Sequence, residues 1–305
     1  MSTRTDLLII DGRGVLFRAH DSHRMLSAEI DGEDVATGGL YGFLSVLPRV
    51  HQRYGKPRIA VAWEGKKNFR VRLYPKYKGR NEEASAEEQE MRAELWEQET
   101  RLIDSLSMLG VEQYRSVGGE ADDAIARLCH EAAGPVLVYS GDSDMRQLVS
   151  GNVLVAAPGK KHDDVYDAKA VFEKHGVWPN QIAALKALAG DASDRIPGVK
   201  GIGPVAAVKL LNHYGTLRKA LECAYLDDAG WPLTERQRAL VNEGADDARL
   251  FFQLTNVRKD LPMIPMEYSM APTKREVMDY LRRYQFRSMS SALEFAGLMD
   301  LGRKH

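Results

Sequence analysis

Cysteine is nearly missing from this chain. Cys129 and Cys223 are the only two among 305 residues, each in an apolar, helix-like setting. That excludes a disulfide framework and points to a reducing compartment, here the cytoplasm of a cell or of an infected host. Long apolar runs are missing as well. Residues 7–10 stop at Asp11, far short of a signal sequence or a membrane span. Net charge is nearly absent, at −1 in total, but locally it is not. Acids are absent from 66–80 and from 195–221, and between 82 and 99 Arg92 is the only base. A nucleic-acid contact face can sit behind such a neutral sum, because the local field governs the contact. The eight histidines are scattered, none at a metal-ligand spacing. His20, His23 and His51 read as surface or helix-face residues, and no Ser–His–Asp or Cys–His arrangement is visible.

What remains is an ordinary soluble balance, 44% hydrophobic and 28% charged, enough for one large domain or two. Short apolar runs at 6–11 (DLLIID), 58–63 (RIAVAW), 135–139 (PVLVY) and 152–156 (NVLVA) predict buried strands. Helical patterns at 39–53, 86–109 and 120–132 alternate with them, which predicts a mostly parallel α/β sheet. After about Val165 the pattern turns helical. Asp167 caps a helix ending near Gly176, Pro179 suits a first turn, and Pro204 opens a helix closed by Gly215, with Thr216 as the next cap. The stretch 82–99 reads as a solvated helix face.

Acids collect where such a sheet binds ligands, beyond the carboxyl ends of its strands. Asp11 ends the first strand, Glu64 follows the second, and Asp142 and Asp144 follow the third. Gly118-Gly119 leads into Glu120, Asp122 and Asp123 at a helix start, and Asp191 and Asp194 lie about one turn apart. Singly, each has an ordinary explanation as a turn or capping residue. Jointly they need cations, and hard divalent ions suit them, Mg²⁺ first and Mn²⁺ as its substitute. Two such ions can activate water and stabilise a leaving oxygen in phosphodiester hydrolysis.

Two basic elements flank the acids. The run 66–80 (KKNFRVRLYPKYKGR) offers Arg70, Arg72, Lys76, Lys78 and Arg80 to phosphates, with Tyr74 and Tyr77 to stack on bases and Phe69 and Leu73 as the alternative, core anchors. The Gly-rich turn 196–204, with Gly198, Lys200, Gly201 and Gly203, precedes a helix whose free N–H groups can take a DNA phosphate, and Lys209 adds charge. Such contacts position a duplex without reading its sequence.

These residues resemble the flap endonuclease / 5′→3′ exonuclease family of bacteria and phages, which includes the nuclease domain attached to DNA polymerase I. The matching segments are IIDGRGVLFRA, TGGLYGFL, AVAWEGKKNFRVRLYPKYKGR, GGEADDAIA, SGDSDMRQLV, LAGDASDRIPGVKGIGPVAAVKLL, FFQLTNVRKDLPM and YQFRSMSSALEFAGL, and they span nearly the whole chain. The resemblance implies a PIN-like sheet at 1–179 with a helical arch at about 66–105. It further implies a helix–three-turn–helix DNA-binding module at 180–260 and a segment 261–305 packing back. It places Asp11, Glu64, Glu120, Asp122 and Asp123 in a first metal cluster, and Asp142, Asp144, Asp191 and Asp194 in a second. It gives Lys78 the arch-base role near the scissile phosphate and Arg80 the arginine role. It sets Tyr77 against the displaced nucleotide and a K⁺ at the hairpin carbonyls. The chain departs from the family in two places: Glu64 stands where an Asp is usual, and Arg80 comes one residue early.

The resulting expectation is a monomeric, Mg²⁺-dependent, structure-specific 5′ nuclease. Its substrates are 5′ flaps, duplex 5′ ends and branched junctions, in primer removal, replication or repair. A PIN-type ribonuclease and a catalytically weak DNA-junction binding protein are the alternatives. The basic loop and hairpin argue against the first and the intact acids against the second.

Overall fold

A computed structural model of the chain describes residues 5–79, 85–159, 161–266, 272–286 and 289–298. In chain order it runs β1 (Leu7–Asp11), α1 (Gly12–Ser22), β2 (Ser27–Ile30), β3 (Glu33–Ala36), α2 (Gly38–Arg53), β4 (Arg58–Lys66) and α3 (Phe69–Leu73). Then come α4 (Ala86–Met108), β5 (Glu112–Val117), α5 (Ala121–Glu131), β6 (Val136–Tyr139), β7 (Val153–Ala157) and β8 (Asp164–Tyr166). The remainder is α6 (Ala168–His175), α7 (Ile182–Ala189), α8 (Pro204–Tyr214), α9 (Leu217–Tyr225), α10 (Glu235–Glu243), α11 (Ala245–Thr255), β9 (Met263–Pro265), α12 (Lys274–Arg283) and α13 (Met289–Phe295).

The main sheet has the order β8-β7-β6-β1-β4-β5-β9. Its five inner strands are parallel and the two edges antiparallel. β1 is central and buried along its whole length, which is why its sequence is a continuous apolar run rather than an alternation. Leu7 and Ile9 join the core that includes the helices from α5 to α11. Leu8 and Ile10 join the opposite core with α1, α2, α4, α12 and α13. The mostly parallel α/β sheet with a helical C-terminal part is therefore present as the sequence implies, and α6 ends at Gly176 with φ +72°.

Some elements were not anticipated. β5 (EQYRSV) carries three charged or amide side chains in a row of six, yet it pairs with β4 because Gln113 turns inward and accepts from Trp63 Nε1 at 3.0 Å. The β2–β3 hairpin turns at Asp31-Gly32, both at positive φ, a pairing that suits a two-residue turn. In α4, Ser85 and Glu88 form a reciprocal capping box, so these residues have a helix-starting role as well as a solvated face. Beyond residue 261, β9 pairs with β5, and α12 and α13 pack on the α2 side of the sheet. Among the described residues, no helix is long and apolar enough to cross a membrane.

Candidate metal centre

The strands deliver their acids to one edge. Asp11, the last residue of β1, is 7% exposed and caps α1 by accepting from Gly14 N at 2.9 Å. Its other oxygen takes Ser140 Oγ at 2.8 Å, and that same oxygen of Ser140 accepts from Asp142 N at 3.1 Å. Burial pushes the Asp11 carboxyl up, against those hydrogen bonds, and the charge of Asp142 adds to the rise. Glu64 lies inside β4, which runs further than its apolar core. Burial and the nearby Glu120 charge push it up to about 7. Asp122 is raised well above the usual carboxylate range by burial, then by Asp142, Glu120 and Asp11. Asp142, which the sequence reading placed with the second cluster, instead acts on Asp11 and Asp122, so these five acids share one electrostatic neighbourhood.

Asp144, Asp191 and Asp194 form a second. One oxygen from each lies within 4.8 Å of the others. Asp191 is fixed by a backbone bridge to Ile196. Burial acts against its charge, but hydrogen bonds from Lys186 and Ser193 outweigh it and hold the carboxyl low. Asp194 is raised, by burial first. Lys186 stands against Asp144 and is 2.7 Å from Asp191. The sequence analysis missed it, although a single lysine in the otherwise apolar α7 was a visible signal. Lys78 joins the two groups: its Nζ is 2.7 Å from Glu120 and 4.0 Å from Asp194.

The donors are all carboxylate oxygens, several are half-buried or deeper, and two ammonium groups are interleaved among them. That chemistry fits hard divalent cations and fits neither a thiolate–imidazole site nor a nucleophilic triad.

Asp123 and Arg70 are corrections to the sequence reading. Asp123 is 1% exposed and turned inward, accepting from Arg70 Nη1 and Nη2 at 2.6 and 2.9 Å, Arg258 N at 2.7 Å and Glu120 N at 2.8 Å. Every favourable direction on its carboxylate is thus engaged by protein donors, which leaves no oxygen turned to a cation. Arg70 is 2% exposed rather than facing a phosphate. It donates further to the carbonyls of Leu254 at 2.7 Å and Asn256 at 3.2 Å. The buried pair raises the Arg70 guanidinium further above its usual range despite the burial that opposes it.

Tyr77 is 3% exposed with its hydroxyl against Glu120 and Asp194, so its ring is not offered to a base. Tyr74 packs edge-on against Phe251. Leu73 is exposed and not a core anchor, while Phe69 is clasped by the guanidinium groups of Arg70 and Arg258. His20 and His51 are buried, not on the surface. Arg80 lies outside the described residues.

Arg72, Lys76, Lys200 and Lys209 are exposed. The hairpin glycines divide. Gly198, at φ +71°, lies against the protein's own backbone, where an added Cβ would meet Gly190 N at 2.4 Å, whereas Gly203 faces open space at the start of α8. A cavity of about 820 Å³ opens beside the acids, bounded by Arg13, Phe17, Lys78, Trp96, Asp142 and Asp194.

Comparison with known proteins matches residues 6–176 to the N-terminal resolvase-like domain of 5′-3′ exonucleases and residues 177–279 to their C-terminal SAM fold. The 5′-3′ exonuclease of Bacillus subtilis is 31% identical over 298 residues, 94% of this chain and 96% of that protein. DNA polymerase I of the same organism is 33% identical over 270 residues, 86% of this chain. The chain spans only 29% of that polymerase's length. In fold it is similar to the zinc-bound T5 5′-exonuclease, with TM-score 0.67 and 20% identity over 95% of this chain and 99% of the other.

Proposed function

Because the chain belongs to the 5′-3′ exonuclease family in both its resolvase-like and its SAM-fold parts, and is thus a nuclease, we propose that it is a Mg²⁺-dependent, structure-specific 5′ nuclease of DNA. It cuts 5′ flaps near the junction and degrades duplexes from their 5′ ends, working as a cytoplasmic monomer in primer removal, replication or repair. The observation that carries this is the close cluster of Asp144, Asp191 and Asp194, joined through Lys78 to Glu120.

In this reading Asp11, Glu64, Glu120, Asp122 and Asp142 would hold one divalent ion, and Asp144, Asp191 and Asp194 would hold the other. Such ions would supply charge neutralisation of the phosphodiester and activation of water. Lys78 is held between the two groups, where burial opposes its charge but Glu120 and Asp194 outweigh it and keep the ammonium charged, and it takes the scissile phosphate. Tyr77 orients Glu120 and Asp194 through its hydroxyl. The hairpin and α8 grip duplex phosphates, with Lys200 and Lys209 adding charge, and the hairpin carbonyls would be the place for a K⁺. The cavity under α4 receives the unpaired strand.

The test is a 5′-flap DNA labelled at both ends of the flapped strand, incubated with Mg²⁺, with EDTA, and with the Asp142→Asn and Asp144→Asn variants. Junction cleavage that needs Mg²⁺ and drops at least 100-fold in the variants, while DNA binding persists, supports the reading. Binding without cleavage in Mg²⁺ and in Mn²⁺ alike refutes it.

A further inference from the structure

Arg195 holds a backbone conformation that arginine rarely adopts. Its φ is +56°, in the left-handed region, where strain is commonly kept at functional positions. The surrounding turn enforces it. Asp191 and Ile196 exchange both backbone hydrogen bonds, at 2.7 and 2.8 Å, across the four intervening residues. Glycine or asparagine would fit this turn with less strain but without a cation.

The side chain reaches the lysine loop. A Cβ added at Gly79 would lie 3.3 Å from Arg195 Nη1, so the missing side chain there leaves room for the guanidinium. The two loops are also joined by Lys78 N donating to Asp194 O at 3.2 Å. Between them is a cavity of about 590 Å³ that includes Lys76, Tyr77, Lys78, Gly79 and Arg195 in its walls and, among the described residues, no acid. A cationic recess beside a carboxylate cluster is suited to an anion that must touch both. A planar guanidinium is the fork that matches phosphate oxygens.

We infer that Arg195 is a phosphate-positioning residue: with Lys76 and Lys78 it holds one phosphodiester of the DNA strand at the mouth of the metal centre. This rests on the proposed DNA substrate. It explains why a strained position carries a long cationic side chain.

The test measures binding of a fluorescent 5′-flap oligonucleotide to the full chain in EDTA across a salt series, with melting temperature and flap cleavage in parallel. Arg195→Asn and Arg195→Gly should lower the slope of log K against log salt by about 1, the loss of one phosphate contact. Both should melt at or above the wild-type temperature, because the strain is relieved. Arg195→Lys should recover the slope but only part of the cleavage rate. An unchanged slope in Arg195→Asn and Arg195→Gly, with wild-type DNA binding intact, overturns this inference alone. So does a melting temperature that falls in step with binding. A wild-type protein that neither binds nor cuts the flap overturns the proposed function, and this inference with it.

Discussion

The pair Arg70–Asp123 shows how one contact redirects two sequence assignments. Both side chains are almost fully buried, so removing one partner leaves an unpaired charge in the interior. Asp123→Ala should destabilise the fold by about 3–5 kcal/mol, read by denaturant unfolding. Replacing both with apolar residues should cost much less than the sum of the single changes, and a strictly additive double-mutant cycle would contradict the pairing. Glu64 makes a different prediction. Its carboxyl is raised from 4.5 to about 7, so folding favours the protonated form. The metal-free protein therefore loses stability as pH rises through that window. Its melting temperature should fall with rising pH across it and fall less in Glu64→Gln. If Glu64 is a metal ligand as proposed, added Mg²⁺ should raise the melting temperature more above pH 7 than below it, because a cation would favour the ionised form.

The carboxylates were legible in the sequence because strand ends and Gly-rich turns announce where a parallel sheet opens. The direction in which each acid points was not. Asp122 and Asp123 are adjacent, and only the packing of α5 decides that one turns to the cluster and the other to Arg70. Lys186 was hidden for the opposite reason: in sequence it is one lysine in an apolar helix, and its partners come from residues before and after α7.

At the scale of elements, the apolar inner strands were readable to within a residue or two. β4 ran further than its core, and β5 escaped because its inward residues include Gln113 and Ser116 rather than branched aliphatics. The Gly-rich hairpin was correctly placed, but its glycines do separate jobs. Gly198→Ala would force a side chain into the backbone at Gly190 and a positive φ on a non-glycine residue. We expect a loss of more than about 1 kcal/mol in stability, together with weaker duplex binding. Gly203→Ala meets nothing within 4 Å and should leave the melting temperature nearly unchanged. Comparing the two by thermal melting separates a turn requirement from a contact requirement.

Across the whole molecule, Arg70 does more than neutralise an acid. From α3 it binds Asp123 on α5 and the carbonyls of Leu254 and Asn256 at the end of α11. Three parts of the chain, far apart in sequence, meet at one guanidinium. The helices that would hold the duplex are thereby kept at a fixed offset from the carboxylates that would sever it. With the proposed function the molecule would then behave as a gauge, measuring a set length of DNA between grip and cut. Arg70→Lys, which keeps the charge but loses the fork, should scatter the cleavage positions on a single flap substrate where the native chain should give one dominant product. Sequencing-gel resolution of the product ends would reveal it.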